Sequence, residues 1–230
     1  MIEIRNVTKV YGKQRVLDDI SVTFHEGYIY GLVGPNGCGK TTLMRCIAGF
    51  TQTTAGNIMV DDCLVGGKAA QKADSDAKYE RVVDFAPSTG IVIESPSFLP
   101  HYSGMKNLIM LSAISGRPNA ERAAEVMRIV GLDPESKKAV GKYSLGMRQR
   151  LGIAQAIMEN PRVLILDEPF NGLDADGVKE IHDLLQSLKA EGKTIILSSH
   201  SAADIEKACD AVYSMRNGQL EFMDAAKESV

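Results

Sequence analysis

A glycine-rich stretch, Gly34-Pro35-Asn36-Gly37-Cys38-Gly39-Lys40-Thr41, constrains this chain more than any other feature. It fits the pattern G-x-x-x-x-G-K-T/S and follows an apolar run, Tyr28-Ile29-Tyr30-Gly31-Leu32-Val33. Leu43, Ile47 and Ala48 then recur at helical spacing, so the loop falls between an expected strand and an expected helix, the context a phosphate-binding loop requires. Glycines let the backbone wrap closely and turn successive N–H groups toward anionic oxygens. The helix N-terminus, continuing through Thr42, adds unpaired amides and a favourable partial charge. Lys40 offers a point charge for the β and γ phosphates, and Thr41 offers a hydroxyl to Mg²⁺. A Gly-rich turn that merely ends in Lys-Thr is the plain alternative, and three glycines in register after a strand weigh against it. The segment implies binding of a nucleoside triphosphate.

The remaining composition narrows the partners. With 230 residues, 44% hydrophobic and 24% charged, the chain reads as one compact α/β domain or one domain with an insertion. A formal net charge of −3 gives no electrostatic case for nucleic acid. Its longest apolar runs, such as Val163 to Leu166, fall far short of the roughly 18 residues expected of a membrane span. Met1 to Asn6 lacks the basic and apolar regions of a signal peptide, and Lys227 to Val230 carries no lipidation signal. Cys38, Cys46, Cys63 and Cys209 show neither metal-ligand pairing nor a dense framework, which suits reduced thiols in cytosol. Any membrane role is therefore expected to come through a partner.

Along the chain, Ile2 to Tyr11 alternates as a strand, and Arg15 to Phe24 reads as another extended segment. Thr51 to Gly56 is expected to turn, with Asn57 to Val60 returning as a strand. Asp61 to Asp84 is polar and fits either an exposed helix or a mobile loop. Gly90 to Ile93 is a short buried-strand candidate. From Leu108 to Asn160 the pattern is helical, broken at Gly116-Arg117-Pro118 and Gly131-Leu132-Asp133-Pro134. Val163 to Leu166 predicts a fully buried parallel strand, and Thr194 to Leu197 another, followed by a helix from Ala202 to Ala208. Val178, Ile181, Leu184, Leu185 and Leu188 share one helical face. Strands alternating with helices imply a mostly parallel sheet.

The phosphate loop alone does not name a reaction. A second constellation does more: Leu164-Ile165-Leu166-Asp167-Glu168-Pro169 puts two carboxylates at the end of a buried apolar strand. Asp167 is placed to hold Mg²⁺, directly or through water, and Glu168 to polarise a water for attack on the γ phosphate. A strand merely capped by Asp-Glu-Pro is the alternative, and the upstream loop argues against it.

With these motifs in place the chain resembles the ATP-binding-cassette ATPases along essentially its whole length. Tyr143-Ser144-Leu145-Gly146-Met147, followed by Arg148-Gln149-Arg150, is similar to the family signature Leu-Ser-Gly-Gly-Gln. Asn171-Gly172-Leu173-Asp174 matches the loop that links opposing sites, His200 matches the switch histidine, and Tyr11 sits where the family places an aromatic against adenine. The resemblance implies an α/β P-loop (RecA-like) core with a mostly parallel sheet and an N-terminal antiparallel β part. It also implies a helical subdomain inserted between Glu94 and Asp167, at about 96–160, within a single ATPase domain over residues 1–230. It further implies two copies that sandwich ATP, each nucleotide shared between one chain's Gly34–Thr42 and the other's Ser144 and Gly146. Those two residues are expected to precede a helix from Arg148 to Glu159, whose N-terminus would face an anion. His200 would contact the γ phosphate; its alternative role is a helix-capping histidine after Ser198-Ser199.

Three positions depart from the family pattern. Leu145 replaces the first signature glycine, limiting close backbone approach, and Met147 replaces the glutamine, removing a polar contact. Glu94, in Ile93-Glu94-Ser95-Pro96, stands where a switch-loop glutamine is usual; it would meet Mg²⁺ or the lytic water through oxygen while adding negative charge. Residues 93–100 also resemble the bacterial exporters of peptide antibiotics and lantibiotics. Phe98, Leu99, His101, Tyr102 and Met105 either line the surface that docks a helix of a membrane subunit or pack the helical part's own core.

Other matches dissolve. Asp174-Ala175-Asp176-Gly177 fits the GTPase D-x-x-G, but no Asn-Lys-x-Asp motif accompanies it. His25, His101 and His182 lack metal spacing, and Lys137-Lys138 is too short for a nucleic-acid patch. The expectation is an ATP- and Mg²⁺-dependent ATPase subunit, cytoplasmic and peripheral on the inner membrane face, paired with a second copy and a transmembrane permease. The competing classes are a soluble cassette ATPase serving ribosomes, DNA or a metallocluster scaffold, and a regulatory module that closes on ATP without turnover. The single cassette and the absence of a coiled-coil or zinc insertion oppose the first, and Glu168 with His200 opposes the second.

Overall fold

The computed structural model describes residues 1–66, 79–94, 96–114, 116 and 118–223. The apolar runs read as buried strands do form a sheet covered on both faces. Its six strands lie in the order β11-β10-β3-β9-β8-β7: β3 (Ile29–Val33), β7 (Thr89–Val92), β8 (Val163–Leu166), β9 (Thr194–Ser198), β10 (Ala211–Arg216) and β11 (Gln219–Met223). All neighbours are parallel except β11, which runs antiparallel to β10. Alternate side chains of a strand point to opposite faces. Val163, Ile165 and Ile196 accordingly enter the core shared with the N-terminal strands, while Leu164, Leu166, Ile195 and Leu197 enter the core beneath the helices.

The second sheet is the antiparallel β part, ordered β2-β1-β4-β5-β6, with β1 (Ile2–Tyr11), β2 (Gln14–Phe24), β4 (Ala55–Val60), β5 (Cys63–Val65) and β6 (Arg81–Val83). Its neighbours are antiparallel apart from the parallel pair β5 and β6. α1 (Lys40–Ala48) packs between the sheets through Leu43, Met44, Ile47 and Ala48. The helical subdomain inserted between Glu94 and Asp167 comprises α2 (Gly104–Ile114), α3 (Ala120–Ile129) and α4 (Leu145–Ile157), joined to the sheet by one core containing Leu108, Val126, Leu151 and Leu164. α5 (Ala175–Ala190) buries Ile181, Leu185 and Leu188 against the same core, with Val178 and Leu184 partly buried; α6 (Ala202–Ala208) follows β9.

Several expectations are corrected. Within the 61–84 segment, Cys63–Val65 and Arg81–Val83 form β5 and β6, Leu64 and Cys63 finding buried partners beside β4; residues 67–78 of the expected helix or loop lie outside the described set. Ala55 and Gly56 belong to β4 and not to the preceding turn. The long helical pattern begins at Gly104, before Leu108, and between Gly131 and Ser144 holds only a short 3-10 turn at Val140–Lys142. Most consequentially, α4 begins at Leu145, not Arg148, so Ser144 is its N-cap and Gly146 lies inside its first turn. β10 and β11, beyond Ala208, are not marked by an apolar pattern, since Ser214 and Arg216 blur the alternation of β10.

Candidate functional site

In an open parallel sheet, ligands bind beyond the carboxyl ends of the strands. Here three adjacent strands, β3, β9 and β8, end at one place and deliver Gly34–Thr42, Ser198 to His200, and Asp167 with Glu168. A cleft of about 190 Å³ is lined by Val16, Asn36, Gly37, Gly39, Lys40, Thr41, Thr42, Asp167, Glu168 and His200. A second cleft, of about 500 Å³, shares Val16, Asn36 and Gly37 with it and extends past Pro35 and Cys38 to Arg15 and Arg216. Val16 is a wall of both and was not singled out from sequence.

The loop is closed on itself by its own lysine. Lys40 is buried, and its Nζ donates to the Gly34 carbonyl at 2.7 Å and the Pro35 carbonyl at 3.3 Å. Gly34 has φ +148° and lies against the Met215 carbonyl, so no side chain fits there. Next to it, Thr41 Oγ1 donates to Asp167 Oδ2 at 2.8 Å and Ser198 Oγ donates to Asp167 Oδ1 at 2.6 Å. Ser198 Oγ in turn accepts from the Glu168 N–H at 3.0 Å. Ser198 is a site residue that sequence reasoning missed; its signal was a polar residue closing the apolar Thr194–Leu197 run.

Glu168 adopts φ +53°, a left-handed conformation uncommon outside glycine. Its Oε2 accepts from the His200 N–H at 3.3 Å. Oε1 is buried, with His200 Nε2 3.1 Å away, and accepts no hydrogen bond from the described residues. Burial raises the Glu168 pKa above the ordinary carboxylate value, and the neighbouring His200 acts in the opposite direction. A buried carboxylate oxygen that accepts no hydrogen bond, beside a phosphate loop, is poised to accept a proton from water.

The residues present fit Mg²⁺ and a triphosphate. The available ligands are oxygens of Thr41 and Asp167, the hard donors that Mg²⁺ prefers. No cluster of three or more His, Cys, Asp or Glu ligands occurs among the described residues.

The structure does not bring every expected residue to this cleft. Glu94 lines a different, larger cleft with Phe50, Leu111 and Gln155, and Arg45 donates to its carboxylate at 2.7 Å. Ser95 lies outside the described residues. Tyr11 is half-exposed at the end of β1, with Lys9 Nζ 4.7 Å from its ring centre. Asp174 caps α5, its Oδ1 accepting from Gly177 N–H at 2.9 Å. Ser144 caps α4, its Oγ accepting from the Met147 N–H at 3.2 Å, and neither Ser144 nor Gly146 lines the phosphate cleft. Of the residues after Glu94, Phe98 and Met105 pack on the core, whereas Leu99, His101 and Tyr102 are exposed. His182 is a packing residue: its ring stacks on Phe170 with centres 4.6 Å apart.

A buried lysine over a glycine loop, a hydroxyl–carboxylate pair and an unpartnered carboxylate together define a P-loop nucleoside triphosphatase site. Residues 17–171 match the ABC transporter family. The chain is 41% identical, over 96% of its length and 95% of the relative's, to an uncharacterized ABC transporter ATP-binding protein, YybJ, of Bacillus subtilis. It is 38% identical to the bacitracin transport ATP-binding protein BcrA of Bacillus licheniformis, over 96% of this chain and 68% of that one. The lantibiotic transport ATP-binding protein SrtF of Streptococcus pyogenes is 33% identical, over 96% and 89%. Among solved structures, an ATP-binding subunit of an ABC transporter superposes with a TM-score of 0.79 at 26% identity, covering 97% of this chain and 90% of that one. A dimeric ATP-binding cassette in a post-hydrolysis state with ADP and Pi shares the fold at a TM-score of 0.81 and 22% identity, over 97% and 99%. The chain belongs to the ABC transporter family and is an ATP-hydrolysing, Mg²⁺-dependent ATP-binding subunit.

Proposed function

We propose that this chain works as a single ATPase domain that pairs with a second copy to power a membrane exporter from the cytoplasmic face. The observation that carries the reading is the division of the site. The phosphate cradle, Asp167, Glu168 and His200 meet in one cleft, while Ser144 and Gly146 lie outside it. The signature turn therefore has no phosphate of its own chain to meet, and a second copy supplies one.

In this reading Lys40 leaves the Gly34 and Pro35 carbonyls for the β and γ phosphates, and Tyr11 stacks on adenine. Thr41 and Asp167 would hold Mg²⁺, which would neutralise charge on the phosphate oxygens. Glu168 Oε1 accepts a proton from the attacking water and His200 orients that water, so the γ phosphoryl group leaves ADP and emerges as inorganic phosphate. Glu94, paired with Arg45, would be available to a metal only if that ion pair opened. The exposed Leu99, His101 and Tyr102 form the face toward a permease. Export is supported by the similarity to transport proteins for bacitracin and a lantibiotic.

Two measurements test this. ATPase activity per mole should rise with protein concentration as dimers form, and a flat profile contradicts the paired site. Cells lacking the chain should become sensitive to a peptide antibiotic and be rescued by the wild-type gene but not by Glu168→Gln; equal rescue by both removes the coupling of hydrolysis to export.

A further inference from the structure

α4 carries the signature turn at its start, and the same turn is fastened to the segment that carries Glu168. Gln149 is buried, and its Nε2 donates to the Glu168 carbonyl at 3.1 Å. The Asn171 N–H donates to that same oxygen at 3.1 Å, so the carbonyl is used on both sides. On the other flank the Glu168 N–H is held by Ser198. Both peptide units of a residue at φ +53° are thus clamped, and one of the clamps comes from the signature helix. The fit continues along the turn. A methyl group at Gly146 would stand 2.6 Å from the Gly172 carbonyl oxygen, and one at Gly172 would stand 2.5 Å from Leu145 Cγ. The signature leucine therefore covers the glycine of the loop after Glu168.

We propose that Gln149 is a positioning residue for Glu168: it holds the left-handed backbone that aims the carboxylate into the cleft and ties the chain's own signature turn to its own hydrolytic group. A main-chain acceptor leaves the side chain of Glu168 free to act, which a side-chain contact would not. A left-handed glutamate without its clamp relaxes toward ordinary backbone angles and carries its carboxylate off line. The inference rests on Glu168 being the hydrolytic carboxylate, as proposed above.

The test is Gln149→Leu, which removes the donor at similar bulk, alongside Glu168→Gln and the double variant. Misplacement of the carboxylate predicts kcat lower by about tenfold or more, with KM for ATP within about twofold. Because Gln149 acts through Glu168, adding Gln149→Leu to Glu168→Gln should leave the residual turnover unchanged. A purely structural role would instead multiply the two losses, and that result overturns the proposal. An unchanged kcat in Gln149→Leu, with Glu168→Gln slow, overturns it while leaving the Glu168 reading intact. Normal turnover in Glu168→Gln overturns the Glu168 reading itself. Gln149→Met, unbranched and of similar length, supplies the same comparison if leucine does not fold at that buried position.

Discussion

The cradle at Gly34–Thr42 and the turn at Ser144–Met147 are both glycine-bearing helix starts, yet they meet different surroundings. Lys40, at the start of α1, is buried, and Thr41 beside it is tied through Asp167 and Ser198 to the peptide of Glu168. α4 begins at the surface, with Ser144 exposed and Leu145 46% exposed. The first is a half-site whose donors are already organised by their own chain. The second has its backbone braced from behind, through Gln149 and Gly146, and its front open. On the proposed function, the contrast teaches that the chemistry is built into one chain and its completion is left to a second copy.

The comparison breaks first at Glu168. Replacing it with Gln removes the proposed proton acceptor while preserving shape, so turnover should fall by about 10² or more with ATP affinity retained. Normal turnover in a steady-state ATPase assay would falsify its role. Next is Lys40→Ala, which deletes a charge-assisted contact and should weaken ATP binding by about tenfold or more; an unchanged Kd by calorimetry counts against the cradle. Ser144→Ala acts on the other region. It should lose about 1 kcal/mol of stability from the cap and lower activity, while the ATP affinity of the monomer stays unchanged. A drop in monomer affinity would place Ser144 in its own chain's site.

The smallest effect concerns pH. Burial raises the folded-state pKa of Glu168, so its ionisation costs stability above that pKa and costs nothing below the unfolded carboxylate value. Glu168→Gln should therefore melt slightly higher at neutral pH, with the gain vanishing toward pH 4. A constant difference across that range would mean that burial is not the cause.

Much of this was legible from sequence because the relevant patterns are local. Apolar runs of β-branched and leucine residues marked β3, β8 and β9, and the residues closing them carry the chemistry. What stayed hidden is long-range. Nothing in Arg148-Gln149-Arg150 says that Gln149 reaches across to residue 168, since α4 and β8 meet only in the folded core. Nor does the Glu94 segment announce that Arg45, on α1, will take its carboxylate. The start of α4 was misplaced because Ser144, Leu145 and Gly146 read as loop, whereas the Ser144 cap makes the following residues helical. β10 and β11 escaped because Ser214 and Arg216 interrupt the expected apolar pattern at the sheet's edge.

The division of the site is tested most directly by sedimentation of the Glu168→Gln chain, which should bind ATP without consuming it. With Mg²⁺ and saturating ATP it should sediment as a dimer, and without nucleotide as a monomer. Monomers at saturating ATP would contradict the account.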